Sequence, residues 1–334
     1  MKIAIIMCGT AVEAGGGVRI QGLMWRDGLY NLGHQVDLIN FWESYHWESY
    51  DAIIVLQHFG CFYDIVSQIF KHNPNIIVAP IIDPAPNMSI RKYRFYAKYM
   101  RFAEIIGLSS NNIHLYNGSK FVSLFLTRSN IETEYLSRAF DVPVNKIRIV
   151  PLSLRFKPLT LMPQKEDFCF HVSRLAAPNK NVARLIEASK IYNFNLKLAG
   201  VLHGDSEKEW LIKLIGDCTN IEYVGELSDQ DLINYYKRAK VFALPSTMEG
   251  VGMVALEAAG HGCEVVLTNI EGPKDYFQGN AKIIDPYDVH SIGKAVLECL
   301  NVGYSQPSLL KYINENYTLN ACAKKLEKAI LNLP

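Results

Sequence analysis

Residues 241–268, VFALPSTMEGVGMVALEAAGHGCEVVLT, decide how this chain is read. Val241–Pro245 is an apolar run of strand length, Met253–Gly262 has helical length, and Glu264–Thr268 is a second apolar run. Between the first strand and the helix lie Ser246, Thr247 and Met248, then Glu249, Gly250, Val251 and Gly252. Strand, glycine turn, helix and strand make a β-α-β unit, whose strands run parallel beneath covering helices. Such sheets bind ligands at the carboxyl ends of their strands, where a following helix presents N–H groups and the positive end of its dipole. The two glycines allow close approach to the backbone, and amides from Gly250 through Met253 are placed to hold a diphosphate. Glu249 at the turn and Glu257 just over one turn into the helix are carboxylates suited to accept hydrogen bonds from sugar or ribose hydroxyls.

Two carboxylates beside an anion repel it unless cations stand opposite. HVSRLAAPNKN (171–181) supplies them, because Arg174 and Lys180 follow the apolar strand Phe168–Val172 directly. Arginine offers a fork matched to phosphate oxygens and lysine a point charge, so the pair can neutralise a departing nucleoside diphosphate without a metal.

Similar units extend outward on both sides. In the second half the spacing predicts helices over Val182–Tyr192, Ser206–Asp217 and Asp229–Arg238, and strands over Leu196–Gly200 and Ile221–Val224. In the first half strands are expected at Ile3–Met7, Val36–Asn40, Ala52–Gln57, Asn75–Pro80, Ile105–Ser109, Phe121–Leu126 and Ile147–Val150. Helices are expected at Val18–Gly33, Tyr63–His72 and Glu132–Phe140. The fold class is therefore α/β, with two Rossmann-like doubly wound domains. The polar stretch Lys157–Asp167, with Pro158 and Pro163, is the candidate hinge. The expected domains are 1–155 and 156–318, with a final helix, 319–334, that can pack back on the first domain.

At 334 residues the chain suits two domains. A formal charge of +1, from 34 basic and 33 acidic residues, provides no global field for nucleic acid. Seven scattered cysteines without a C-x-x-C pair read as thiols in a reducing compartment, and no zinc or other metal site is expected. The apolar start reads as a strand, without the h-region and cleavage site of a signal peptide, and no window has the ~18 apolar residues of a membrane span. The expected location is cytoplasmic, with peripheral attachment to the membrane face left open.

The ordered set of motifs resembles the family-four glycosyltransferases, retaining enzymes of the GT-B fold, whose two domains face each other across a cleft. The matching segments are GGGVRIQGLMWRDGLYNLGHQVDLI, TRSNIETEYLSRAFDVPVNKIRIVP, HVSRLAAPNKN, YVGELSDQDLINYYKRAKVFALPSTMEGVGMVALEAAGHGCEVV and, more weakly, TNIEGPKDYF. The resemblance implies a nucleoside-diphosphate sugar donor, UDP- or GDP-linked, and no other cofactor. It assigns the diphosphate to Arg174 and Lys180, the ribose to Glu257, the donor sugar to Glu249 with Gly250, Val251, Gly252 and Met253, and the nucleobase to Tyr223 through Leu227, which includes Gly225, Glu226 and Leu227. Gly15, Gly16 and Gly17 become the acceptor-domain loop that closes on the donor phosphates. On the acceptor side Asp83 is the best positional match to a catalytic residue and His58 the second. Glu264 stands where relatives often carry proline, and Pro151–Leu152–Ser153 where they carry an asparagine-glycine turn.

Each signal has a plainer reading. The glycine loop is also a tight turn, the glutamates also helix-dipole partners, the basic pair also solvated loop charges, and Asp83 also a turn residue before Pro84. The segment Ile90–Phe102 carries Arg91, Lys92, Arg94, Lys98 and Arg101 among aromatics. It is either a solvated surface helix or a contact for an anionic membrane surface or lipid-linked acceptor. Other functions compatible with the architecture are a sugar-nucleotide epimerase or hydrolase and a non-catalytic nucleotide-sugar-binding protein. The glycines after Met7 do not follow G-x-G-x-x-G, which argues against a nicotinamide dehydrogenase.

Overall fold

The computed structural model describes residues 1–7, 17–57, 60–82, 89–99 and 110–333. They form two compact units, Met1–Arg155 with Leu319–Pro334, and Phe156–Thr318.

The first unit contains β1 (Lys2–Met7), α1 (Gly17–Asn31), β2 (Gln35–Leu38), β3 (Ala52–Leu56), α2 (Phe62–Ile69), β4 (Ile76–Ala79), α3 (Ile90–Tyr99), α4 (Asn111–Gly118), β5 (Leu124–Thr127), α5 (Asn130–Ala139) and β6 (Ile147–Ile149). The strands pair in parallel in the order β2-β1-β3-β4-β5-β6. Ala52 to Leu56 are fully buried, as a strand covered on both faces requires, and this is why its sequence runs apolar without alternation. One face of the sheet packs through Ile53, Val55 and Phe125 against Phe62, Val66 and Leu136. The other packs through Ile3, Ile5 and Ile54 against Trp25 and Leu29 of α1 and Leu326 and Ile330 of the terminal helix.

The second unit contains β7 (Glu166–Val172), α6 (Val182–Tyr192), β8 (Leu196–Ala199), α7 (Gly204–Ile215), β9 (Ile221–Gly225), α8 (Asp229–Arg238), β10 (Ala239–Leu244), α9 (Met253–Gly260), β11 (Glu264–Thr268), α10 (Glu271–Phe277), β12 (Lys282–Ile284), α11 (Val289–Asn301) and α12 (Leu309–Asn316). Its strands, all parallel, run in the order β12-β11-β10-β7-β8-β9. The chain starts at β7, winds outward through β8 and β9, and returns to the opposite side of β7 as β10. The boundary between β7 and β10 is thus the switch point of a doubly wound sheet, where the crevice for a ligand opens.

The terminal helix α13 (Leu319–Leu331) belongs to the first unit. It crosses α1 closely, since a Cβ added at Gly28 would lie 2.7 Å from that of Ala323. His34 Nε2 lies 2.8 Å from Glu327 Oε1 across the same contact.

Three expectations need correction. Lys157–Asp167 belongs to the second unit and is tied to its other elements. Leu159 donates to Gly260 O, Asn314 donates to Leu159 O, and Lys165 Nζ donates to the carbonyls of Tyr236 and His261 at 2.9 and 2.8 Å. The sequence reading assigns no element between Thr268 and Leu319, yet α10, β12, α11 and α12 fill that interval. The β5 strand begins at Leu124, because residues 119–121 form a 3-10 turn. The expected strand Ile105–Ser109 lies outside the described residues.

Candidate active site

The two loops at the switch point are stitched together by hydrogen bonds between them. Asn181, held at φ +60°, donates from Nδ2 to Pro245 O at 2.9 Å and to Pro286 O at 2.6 Å. Asn179 O accepts from the Thr247 amide at 2.8 Å, and Asn179 Nδ2 donates to Met248 O at 3.3 Å. These bonds place Lys180, between the two asparagines, against Glu249 on the opposite loop. Lys180 Nζ donates to Glu249 Oε2 at 2.7 Å, and both side chains are partly buried.

Beneath the pair lies His171, fully buried at the end of β7. Ala243 O, 2.8 Å from Nδ1, can only accept, so Nδ1 carries the proton and the neutral Nε2 accepts from the Ser173 hydroxyl at 2.7 Å. Burial pushes this imidazole down to about 4, so it stays uncharged at neutral pH. Ser173 meets Gly200 at the end of β8 so closely that a Cβ on Gly200, at φ +136°, would sit 1.8 Å from Ser173 O. His171 therefore ties β7 to β10, and Ser173 ties β7 to β8, at the root of the loop that carries Arg174.

Arg174 lies two residues beyond Val172 with its side chain exposed, and its guanidinium has no ion-pair partner among the described residues. It offers a solvated fork at the mouth of the crevice. Glu257 is placed differently from an open ribose ligand. It is 1% exposed, and the Tyr236 hydroxyl donates to its Oε2 at 3.2 Å. Tyr236 stacks on His261, whose Nδ1 donates to the Glu257 carbonyl at 2.7 Å. Glu257 is thus anchored from behind, within the second turn of α9.

The glycine turn is constrained at two points. Gly252, at φ +76°, is the N-cap of α9, and an added Cβ would press on Leu244 at 3.0 Å. Gly250 carries a carbonyl that would lie 2.1 Å from a Cβ on Gly272, so α10 is seated directly on the turn. Val251 is buried at 4% exposure, whereas Met253 is half-buried. Gly225, at φ +85°, ends β9 and accepts from the Gly200 amide at 2.9 Å, and Glu226 and Leu227 continue from it at the same edge of the sheet. Lys180 and Glu249 meet directly, and Arg174, Gly225 and the α9 N-terminus occupy the carboxyl ends of the same sheet.

Gly17 opens α1, whereas Gly15, Gly16, His58, Asp83 and Arg101 lie outside the described residues. In the basic helix α3, Arg94 and Lys98 both pair with Asp141, at 3.1 and 2.6 Å, while Arg91 and Lys92 are exposed. Among the described residues no helix is long and apolar enough to cross a membrane.

Sequence reasoning missed His171, Asn179, Asn181 and Gly272. Only Asn181 carried a local signal, as an asparagine after a loop lysine is a common occupant of the left-handed region. The buried Glu264 also has a specific role. Its Oε1 accepts from the amides of Ser305 and Gln306, the latter at 3.0 Å, and its Oε2 from the Ser305 hydroxyl at 3.0 Å.

Residues 155–317 match the family described as Glycosyl transferases group 1. The chain is 26% identical over 196 residues to O-antigen chain mannosyltransferase B of Escherichia coli, covering 53% of this chain and 51% of that protein. It is 31% identical over 136 residues to D-inositol 3-phosphate glycosyltransferase of Thermobifida fusca, covering 37% of this chain and 31% of that one. The chain thus spans about half the length of the O-antigen relative and less of the other. Among solved structures, sucrose-phosphate synthase from Thermosynechococcus elongatus superposes with a TM-score of 0.70 at 16% identity, over 99% of this chain and 98% of that one. A glycosyltransferase from Rickettsia africae does so with 0.64 at 16% identity, over 100% and 99%. With the group 1 match across residues 155–317 and the fold shared with these structures, the second unit resembles the group 1 glycosyltransferases and the chain has the GT-B fold.

Proposed function

We propose that the chain is a retaining glycosyltransferase that moves a hexosyl unit from a UDP- or GDP-linked sugar to a hydroxyl of a glycan or lipid-linked acceptor in surface polysaccharide assembly. The observation that carries this reading is the Lys180–Glu249 pair at the switch point, beside the N-terminus of α9. Without a donor the two charges satisfy each other. An arriving diphosphate competes for Lys180, and Glu249 is released to accept from a hydroxyl of the donor sugar.

As the glycosidic bond breaks, negative charge grows on the leaving diphosphate. Arg174, Lys180 and the first amides of α9 match that charge as it develops, which lowers the barrier without a metal. Retention follows if the acceptor hydroxyl attacks from the face the diphosphate leaves, and no carboxylate need form a covalent intermediate. Glu257 binds ribose in this scheme, and its 1% exposure means the donor must uncover it. Peripheral contact with an anionic membrane surface through the exposed Arg91 and Lys92 is part of the same proposal, and it predicts salt-sensitive binding to anionic vesicles.

The experiment is a panel of nucleotide sugars scored by thermal stabilisation, followed by assay of nucleoside diphosphate release with and without a glycan acceptor. Acceptor-dependent release supports the reading. Turnover without acceptor favours a hydrolase or epimerase, and tight binding without any release favours a binding protein.

A further inference from the structure

The first unit carries a groove of about 350 Å³ that the donor site does not use. It lies beside Ile6, the penultimate residue of β1, between the segment after β2 and helix α2. Its position is again the carboxyl end of a parallel sheet, and its volume falls in the range of small-ligand sites, roughly 300–1,000 Å³. The walls are apolar and partly aromatic: Ile39, Tyr45 and Trp47 on one side, and Ile65 on the other.

The aromatic side comes from a duplication. The tetrapeptide Trp-Glu-Ser-Tyr occurs at 42–45 and again at 47–50. Trp42 of the first copy is 95% exposed, whereas Trp47 of the second is held between Tyr45 and Tyr50, with ring centroids 5.7 and 6.2 Å away. The polar groups of the groove are carboxylates and amides. Glu43 is fixed by Asn40 Nδ2 on Oε1 and the Tyr45 hydroxyl on Oε2, both at 3.2 Å, so each oxygen keeps acceptor capacity. Asp64 and Gln68 stand exposed on α2 across from it.

This chemistry selects among occupants. An anionic headgroup or phosphate meets two carboxylates and, among the described lining residues, no cation. A purely apolar chain leaves the remaining acceptor capacity of Glu43, the exposed Asp64 carboxylate and the Gln68 amide, whose Oε1 accepts from Lys71 Nζ at 2.8 Å, unused. A sugar ring satisfies both demands, because its C–H face is apolar and its hydroxyls donate to planar carboxylate and amide groups. We propose that this groove holds a pyranose ring of a neutral glycan, its C–H face against Tyr45 and Trp47 and its hydroxyls directed to Glu43 and Asp64. The inference rests on the proposed glycan acceptor only for the class of ligand. Its test uses no donor and no turnover, so it fails separately from the transferase reading.

The full-length protein is mixed with mannotriose, maltotriose or chitotriose, and saturation transfer to the sugar ring protons is measured by NMR. Transfer to at least one trisaccharide is expected. Affinity should fall about tenfold in an Asp64→Ala, Gln68→Ala double variant, equivalent to one or two lost hydrogen bonds. Both positions are exposed, so its melting temperature should match that of the parent. Trp47→Leu should abolish transfer, and the double variant keeps the test valid if Trp47→Leu does not fold. The proposal is overturned if no trisaccharide gives transfer, if the double variant binds as tightly as the parent, or if anionic phosphatidylglycerol vesicles bind in a Trp47-dependent way while the sugars do not.

Discussion

Lys180 Nζ stands 2.7 Å from Glu249 Oε2 and so bridges the loop after β7 to the loop after β10. Either charge alone, at 22% and 16% side-chain exposure, would be left partly desolvated without its counterpart. The pair is therefore both a strut of the unliganded site and a competitor of the diphosphate.

This competition separates the two residues experimentally. Lys180→Met should destabilise the protein by about 1–3 kcal/mol, because Glu249 loses a charged hydrogen-bond partner, and should weaken nucleoside diphosphate binding. Glu249→Gln frees Lys180, so it should bind nucleoside diphosphate at least as tightly as the parent while transferring far less sugar. Calorimetric titration with UDP and GDP, set beside turnover, checks the pair. Equal losses of diphosphate affinity in both variants would refute the competition.

Much of the fold was legible because parallel strands buried on both faces read as short apolar runs. The helix Val182–Tyr192, the helix Asp229–Arg238 and the strand Glu264–Thr268 have the same bounds in sequence and structure. In Asp229–Arg238 the reason is visible, since Ser228 caps the first turn by accepting from the Asp231 amide. Helix α11 was equally readable, with Asp288 as its cap and Ile292, Ala295, Val296 and Cys299 at helical spacing on its buried face.

The site was legible in its charges but not in its supports. His171 looks like one polar residue within an apolar run, and nothing local reveals that its partner is Ala243 O, 72 positions away. Asn181 likewise acts on carbonyls 64 and 105 positions distant. The same holds for Glu264, whose burial is tolerable only because Ser305 and Gln306 supply the donors.

His171 should make the stability of the protein fall on acidification. Burial holds it at about 4 in the folded state against the ordinary imidazole value of 6.5, so as pH drops below about 6.5 the unfolded chain takes up a proton that the folded chain refuses. Its contribution is complete above that pH and is lost progressively down to about 4, amounting to about 3 kcal/mol. Burial shifts His261 in the same direction, so His171→Gln should flatten the profile without abolishing it. Urea unfolding at pH 7, 5.5 and 4.5 measures this, and parallel profiles for parent and variant would exclude His171 as the source.

Gly200 is predicted to tolerate no side chain. At φ +136°, with Ser173 O 1.8 Å from an added Cβ, Gly200→Ala must push β8 away from β7, at a cost of roughly 3 kcal/mol or more. Gly204, at φ +73° with nothing within 4 Å of an added Cβ, is the control, where alanine should cost only the left-handed strain of about 1–2 kcal/mol. Melting curves of the two variants compare crowding with strain. Gly200→Ala should also weaken donor binding, because Ser173 precedes Arg174.

Arg174 should behave in the opposite way to Gly200. Its side chain is exposed and pairs with no described acid, so Arg174→Ala should leave the melting temperature within about a degree of the parent, as surface substitutions do. If the guanidinium meets charge that grows only as the glycosidic bond breaks, turnover should still fall by about 10²–10³, equivalent to roughly 2.7–4 kcal/mol of transition-state stabilisation. Donor affinity should change less than turnover, since the ground-state diphosphate retains Lys180 and the α9 amides. Arg174→Lys keeps the charge but loses the fork, so it should recover only part of the rate. Steady-state kinetics with the donor identified by thermal shift, read as separate kcat and KM effects, decides the point. A purely KM effect would place Arg174 in donor capture and remove it from the bond-breaking step.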